Sequence, residues 1–173
     1  MKHGYQLLIS LTALLVSPMA MAHDYSVTTG IIAGFLHPVT GVDHLVALML
    51  AGFFIGRLGS RQWISVSALL IALGSGAAGA QLLGAQAWME AAIVFSLPLF
   101  FAMQWIKLPG AVNLAVTTMS LFMITHGWMH GVELADMNSS FIFGLMTASA
   151  AVLCLFSRIG RTVKSGLAAA KHA

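Results

Sequence analysis

Read along its length, the chain is a series of long apolar runs separated by short polar punctuation. A hydrocarbon core about 30 Å thick asks about 20 apolar residues of each helix that crosses it. Five stretches approach that length: residues 40–57, 63–83, 88–106, 111–129 and 141–157. The second is rich in Ala, Gly and Ser, and the third contains Pro98, where a kink is expected. A shorter apolar piece at residues 27–36 is too brief to span and reads as a re-entrant or interfacial segment. The predicted fold is therefore all-α, a polytopic membrane helix bundle of about five transmembrane helices.

The N-terminus carries a different signal. Lys2 and His3 form a short polar start, residues 7–16 an apolar stretch, and Ala20-Met21-Ala22 an A-x-A cleavage site after Pro18. This predicts a cleaved signal peptide over residues 1–22, the alternative being an uncleaved first transmembrane helix. The predicted organisation is a signal peptide (1–22), a transmembrane domain (23–157) and a short basic cytoplasmic tail (158–173). Such a leader points to a bacterial envelope protein with its mature N-terminus outside the cytoplasm.

Composition agrees and then adds something new. Of 173 residues 59% are hydrophobic and 8% charged, against about 25% charged in ordinary soluble domains, so a soluble fold and a disordered chain are both excluded. Eight basic residues make no run, so nucleic acid is not an expected partner. The single cysteine, Cys154, excludes an internal disulfide and a cysteine-rich zinc site. The charges also separate by side. Arg57, Arg61, Lys107, Arg158, Arg161, Lys164 and Lys171 all fall in loops or the tail on one side, which the positive-inside rule makes the cytoplasm. Asp24, Asp43, Glu90, Glu133 and Asp136 all fall on the other, with no Lys or Arg to pair with them. Trp63 and Trp105 mark the predicted inner interface, Trp88 and Trp128 the outer one.

A carboxylate left unpaired in or near hydrocarbon marks an ion pathway, a proton relay or a bound cation. Histidines accompany these acids in two clusters. In the first, His37-Pro38-Val39-Thr40-Gly41-Val42-Asp43-His44, the residue before a proline is pushed toward extended geometry. His37 is thus expected to arrive from a turn preceding a helix that Asp43 and His44 open. In the second, spacings of four and three place His126, His130 and Glu133 on one helical face, while Gly127 and Gly131 form a small-residue strip for close helix approach. Imidazole and carboxylate without thiolate suit a borderline divalent ion such as Ni²⁺, Co²⁺ or Zn²⁺. The candidate metal ligands are His37, Asp43, His44, Glu90, His126, His130 and Glu133. Other features read as structural: the methionines as packing or lipid-facing residues, Gly74, Gly76, Gly79 and Gly84 as helix-packing positions, and Gln104 and Asn113 as interhelical hydrogen-bonders.

The two clusters resemble the signatures of the HupE/UreJ family of nickel/cobalt permeases. An H-x5-D-H pattern is matched by His37, Asp43 and His44, and an HG-x-x-HG-x-E block by His126, Gly127, His130, Gly131 and Glu133. Glu90 resembles a glutamate that opens the third mature helix in that family. Thr125 and Met129 depart from the usual Phe and smaller Ala or Val, at packing positions. The resemblance implies import of a divalent metal into the cytoplasm and a link to hydrogenase or urease maturation.

The expected protein is thus a secondary transporter or facilitator of Ni²⁺ or Co²⁺ in the bacterial inner membrane, not an enzyme. The metal is its cargo, and no tightly bound cofactor is expected. Its partners are the ion and the lipid bilayer, with a homo-oligomer left open. Two rivals are a b-type haem subunit with axial histidines and an intramembrane metallohydrolase; no HExxH motif supports the latter.

Overall fold

The computed structural model describes residues 30–105, 111–133 and 139–170. The expected signal peptide, His23, Asp24, Lys107, Asp136, Lys171 and His172 lie outside the described residues. The elements among them are all helices, joined by short turns: α1 Ile31–Thr40, α2 Val42–Gly56, α3 Gln62–Leu83, α4 Met89–Met103, α5 Ala111–Glu133 and α6 Ser139–Ala169, with a 3-10 turn at Gly59–Arg61 leading into α3.

Among the described residues, α3 with its preceding turn and α6 are long and apolar enough to cross a membrane. The pair α1–α2 makes a third such span if its 77° bend is taken as one broken crossing. Helix α4 is apolar but only 15 residues long, and α5 has the length, at 23 residues, but carries Asn113, two histidines and several hydroxyls. Pro98 lies inside α4, as the sequence suggested.

Three boundaries differ from the sequence reading. The break in the first cluster falls at Gly41, not at Pro38, so His37 belongs to a helix and not to a turn. Proline removes only one backbone bond, that to Gly34, this late in a ten-residue helix. The last turn is then closed by the Gly41 amide, which donates to the His37 carbonyl at 3.0 Å, and by the Thr40 hydroxyl, which donates to Leu36 at 3.1 Å. Helix α5 runs one turn beyond Met129, carrying the whole second cluster. Helix α6 continues past Ser157 to Ala169, because nothing between them stops a helix and the basic residues gain intramolecular partners.

Glycine sets the packing. The most extensive helix contacts are α3 with α5 and α6 with both α1 and α2. At each, glycine brings backbone against backbone: a Cβ at Gly127 would collide with the Leu73 carbonyl, one at Gly76 with Ile124, one at Gly34 with Phe141, and one at Gly56 with Ser157. This is the close approach that small residues give membrane helices, where dispersion between backbones replaces the missing hydrophobic drive. Gly74, by contrast, faces only the end of Met146. An apolar core of Leu48, Phe54, Leu69, Phe100, Met119, Met123 and Leu153 fills the space between α2, α3, α4, α5 and α6. The outer surface is equally apolar, with Ile71 71% and Leu82 85% exposed, as side chains facing lipid would be.

The two ends of the bundle differ. Arg57, Arg61, Arg158, Arg161 and Lys164 gather at the end formed by the C-terminus of α2, the starts of α3 and α5 and the end of α6. Lys164 donates to the Arg57 carbonyl at 2.7 Å, Arg61 to the Asn113 side-chain oxygen at 2.8 Å, and Arg161 to Gln62. The buried Gln62 passes this on to Ser157 at 2.8 Å. Gln104 donates to the carbonyls of Leu50 and Phe100 and accepts from Arg57 at 3.4 Å, the interhelical role expected of it. The histidines lie at the other end.

Candidate metal site

The bend at Gly41 builds the site. It turns the chain so that His37, in the last turn of α1, and Asp43 and His44, in the first turn of α2, face the same point. Gly41 is needed there, since a Cβ would sit 2.9 Å from the His44 ring and 3.4 Å from the His37 carbonyl. An acidic residue in the first turn of α2 also suits the positive end of the helix dipole. From the opposite side α5 presents His126 and His130, one helical turn apart and both buried. The start of α6 closes the rim with the buried Phe141, whose ring meets His37 edge-on at 5.8 Å.

Three imidazoles converge. One ring nitrogen each of His37, His44 and His130 lie within 4.8 Å of one another. The ring centroids are 4.3 Å apart for His44 and His130, 4.7 Å for His37 and His130, and 6.0 Å for His37 and His44. Asp43 adds an oxygen: its Oδ2 is 3.6 Å from His44 Nε2, and its Oδ1 is buried without a hydrogen-bond partner among the described residues. His130 Nδ1 is in the same condition. Buried polar atoms nearly always have a partner, so the Asp43 oxygen and the His130 nitrogen left over each ask for a ligand, although Asp43 stands outside the three residues whose donor atoms converge. A bound divalent ion takes nitrogens at about 2.0–2.1 Å, so the three imidazoles would draw around a shared ion placed between them.

The remaining candidates take other positions. His126 is not in the converging trio, because both its nitrogens face protein atoms: Nδ1 is 3.1 Å from His44 Nδ1 and Nε2 is 3.0 Å from Ser96 Oγ. Glu90 is exposed in the first turn of α4. It stands six residues before Ser96, about 9 Å along the helix axis, toward the end of the bundle where the histidines lie. Glu133 is the last residue of α5, and its side chain lies outside the described residues. Sequence reasoning passed over Ser96 and Phe141. Ser96 carried a usable signal, being the one hydroxyl in the apolar run of α4.

Comparison with known proteins supports what the clusters suggested. The family model described as HupE / UreJ protein matches residues 11–173. The chain belongs to the HupE/UreJ family. A HupE/UreJ relative from Rhizobium leguminosarum bv. viciae, named Protein HupE, is 31% identical over 150 residues, covering 81% of this chain and 75% of the relative. No solved structure matches the chain. Both signature blocks of the HupE/UreJ resemblance fall within the matched residues, and the fold brings their histidines face to face.

Proposed function

We propose that the protein is a secondary transporter or facilitator that imports Ni²⁺ or Co²⁺ across the bacterial inner membrane. The observation that carries this reading is the convergence of His37, His44 and His130 in an apolar helix bundle, next to an Asp43 oxygen without a hydrogen-bond partner among the described residues. Nitrogen and carboxylate donors without thiolate fit these borderline ions. Membership of the HupE/UreJ family supports a metal cargo for the site. In this reading the bent pair α1–α2 and helices α3, α4, α5 and α6 make five crossings, with the histidine end periplasmic and the basic end cytoplasmic. The gathering of basic side chains at one end supports that orientation.

Each residue then has a task. His37, His44 and His130 replace water in the ion's shell, and Asp43 supplies charge and an oxygen. Glu133, one turn after His130, supplies a second carboxylate. The exposed Glu90 attracts the ion at the outer rim before it is stripped of water. The core of Phe54, Phe100, Met119, Met123 and Leu153 closes the path toward the basic end, so release inward requires the helices to rearrange around the site, as in alternating access. The protein performs no covalent chemistry here, and its metal serves hydrogenase or urease maturation. Three donors meeting at one point favour a bare ion over a haem held between two histidines.

Uptake of radioactive ⁶³Ni²⁺ by cells producing the wild type, His44→Ala or His130→Ala at matched levels tests the proposal. Both variants are expected to fall to the background of cells lacking the protein. Wild-type uptake by either would refute the assignment.

A further inference from the structure

The hydrogen bonds around His126 determine where its proton sits. Ser96 Oγ lies 2.7 Å from the Ile93 carbonyl oxygen and 3.0 Å from His126 Nε2. Two oxygens at 2.7 Å need a proton between them, and a carbonyl has none, so the single hydroxyl proton of Ser96 points at Ile93. The oxygen then has only lone pairs left for His126, and the hydrogen of that contact must come from Nε2. His126 is consequently an Nε2–H imidazole. A neutral imidazole carries a single N–H, here on Nε2. Nδ1 therefore carries a lone pair.

That lone pair faces His44 Nδ1 at 3.1 Å. The contact needs one hydrogen, which His44 must supply, so His44 holds a proton on Nδ1 and has only Nε2 to offer an ion. Nε2 is also the nitrogen on the Asp43 side of the ring. The chain of bonds runs from His44 Nδ1–H to His126 Nδ1, from His126 Nε2–H to Ser96 Oγ, and from the Ser96 hydroxyl to the Ile93 carbonyl in α4. A metal-bound histidine commonly gives its other N–H to such an acceptor, which orients the ring and raises its basicity.

We infer that Ser96 is a positioning residue which, through His126, fixes the nitrogen that His44 presents to the transported ion. His126 then acts as a relay and not as a ligand. The inference rests on the metal reading for its consequence, while the hydrogen-bond order stands on contacts within the protein.

The test uses the full chain in detergent micelles with ¹⁵N-labelled histidine. In the metal-free protein, two-bond ¹⁵N–¹H correlation should show His126 as the Nε2–H form and His44 as the Nδ1–H form. Titration with CoCl₂, followed by the visible d–d bands, should give a 10–100-fold weaker affinity for Ser96→Ala, the range typical of lost outer-shell partners. In the same variant His126 should lose its single tautomer, and Ser96→Thr, which keeps the hydroxyl, should restore both readouts. A wild-type His126 protonated on Nδ1 would overturn the assignment whether or not the variants fold. A Co²⁺ affinity that Ser96→Ala leaves unchanged would overturn the positioning role. Wild-type protein with the stated tautomers but no Co²⁺ bands would instead count against the metal reading.

Discussion

At the scale of the residue, the site depends on one position with no side chain. Gly41 carries the backbone between His37 and His44, and the atom nearest to an added Cβ is Cδ2 of the His44 ring, at 2.9 Å. Gly41 has ordinary extended backbone angles, so alanine is allowed there by conformation and excluded only by the ring. The ring can yield by rotating, which spares the fold but misdirects His44. Gly41→Ala is therefore expected to weaken Co²⁺ binding by about tenfold, equivalent to about 1.4 kcal/mol, with little change in melting temperature. Spectroscopic titration beside a thermal melt separates the two effects. Glu90→Gln should behave differently, since Glu90 is exposed and stands apart from the trio. The metal concentration for half-maximal uptake should rise while the d–d spectrum of bound Co²⁺ stays that of the wild type. A changed spectrum would put Glu90 in the coordination sphere.

At the scale of the element, the positions of His126 and His130 are set by how closely α5 approaches α3. Gly127 lies between them in sequence, and a Cβ there meets the backbone of Leu73, which cannot rotate away. Gly127→Val must separate the two helices, and overpacking of this kind costs about 1–3 kcal/mol. Gly127→Val should lower the melting temperature in detergent and abolish uptake together. Gly74→Ala provides the contrast within α3, because its Cβ would touch only the flexible end of Met146 at 3.6 Å. Alanine is the better helix former by up to about 1 kcal/mol, so that variant should melt at or above the wild-type temperature. The small-residue strip at Gly127 and Gly131 was legible in the sequence because a four-residue spacing is a helix-face spacing. The same periodicity announced His126, His130 and the long apolar helices. The 77° bend was not legible at its true place. Pro38 is the stronger local breaker, yet α1 stays helical through it, with Gly34 seated on the Phe141 backbone. Ser96 stood out in the sequence as the one hydroxyl of its apolar run, but its partner was not legible, because His126 is 30 residues away and meets it only in the fold.

At the scale of the whole molecule, the segregation of charge has a mechanical consequence. The acids Asp43 and Glu90 belong to the histidine end and the described basic residues to the other, with the apolar core between them. A divalent ion leaving the histidines toward the basic end moves against the repulsion of Arg57, Arg61, Arg158, Arg161 and Lys164. Some other term must draw it inward. An inside-negative potential contributes about 2.3 kcal/mol per charge per 100 mV, hence about 4.6 kcal/mol for a doubly charged ion. That corresponds to an accumulation ratio of about three orders of magnitude at equilibrium. In proteoliposomes with all copies sealed in one orientation, a valinomycin-imposed inside-negative potassium diffusion potential should drive ⁶³Ni²⁺ uptake steeply, and an inside-positive one should suppress it. The potential acts on net charge moved, so this result identifies uncompensated movement of the ion. Uptake indifferent to the sign of the potential would instead show that two positive charges leave for each ion that enters. The expected carriers are then protons that the emptied site takes up from the inside and releases outside as the next ion binds, and acidification outside a weakly buffered vesicle would accompany every ion imported.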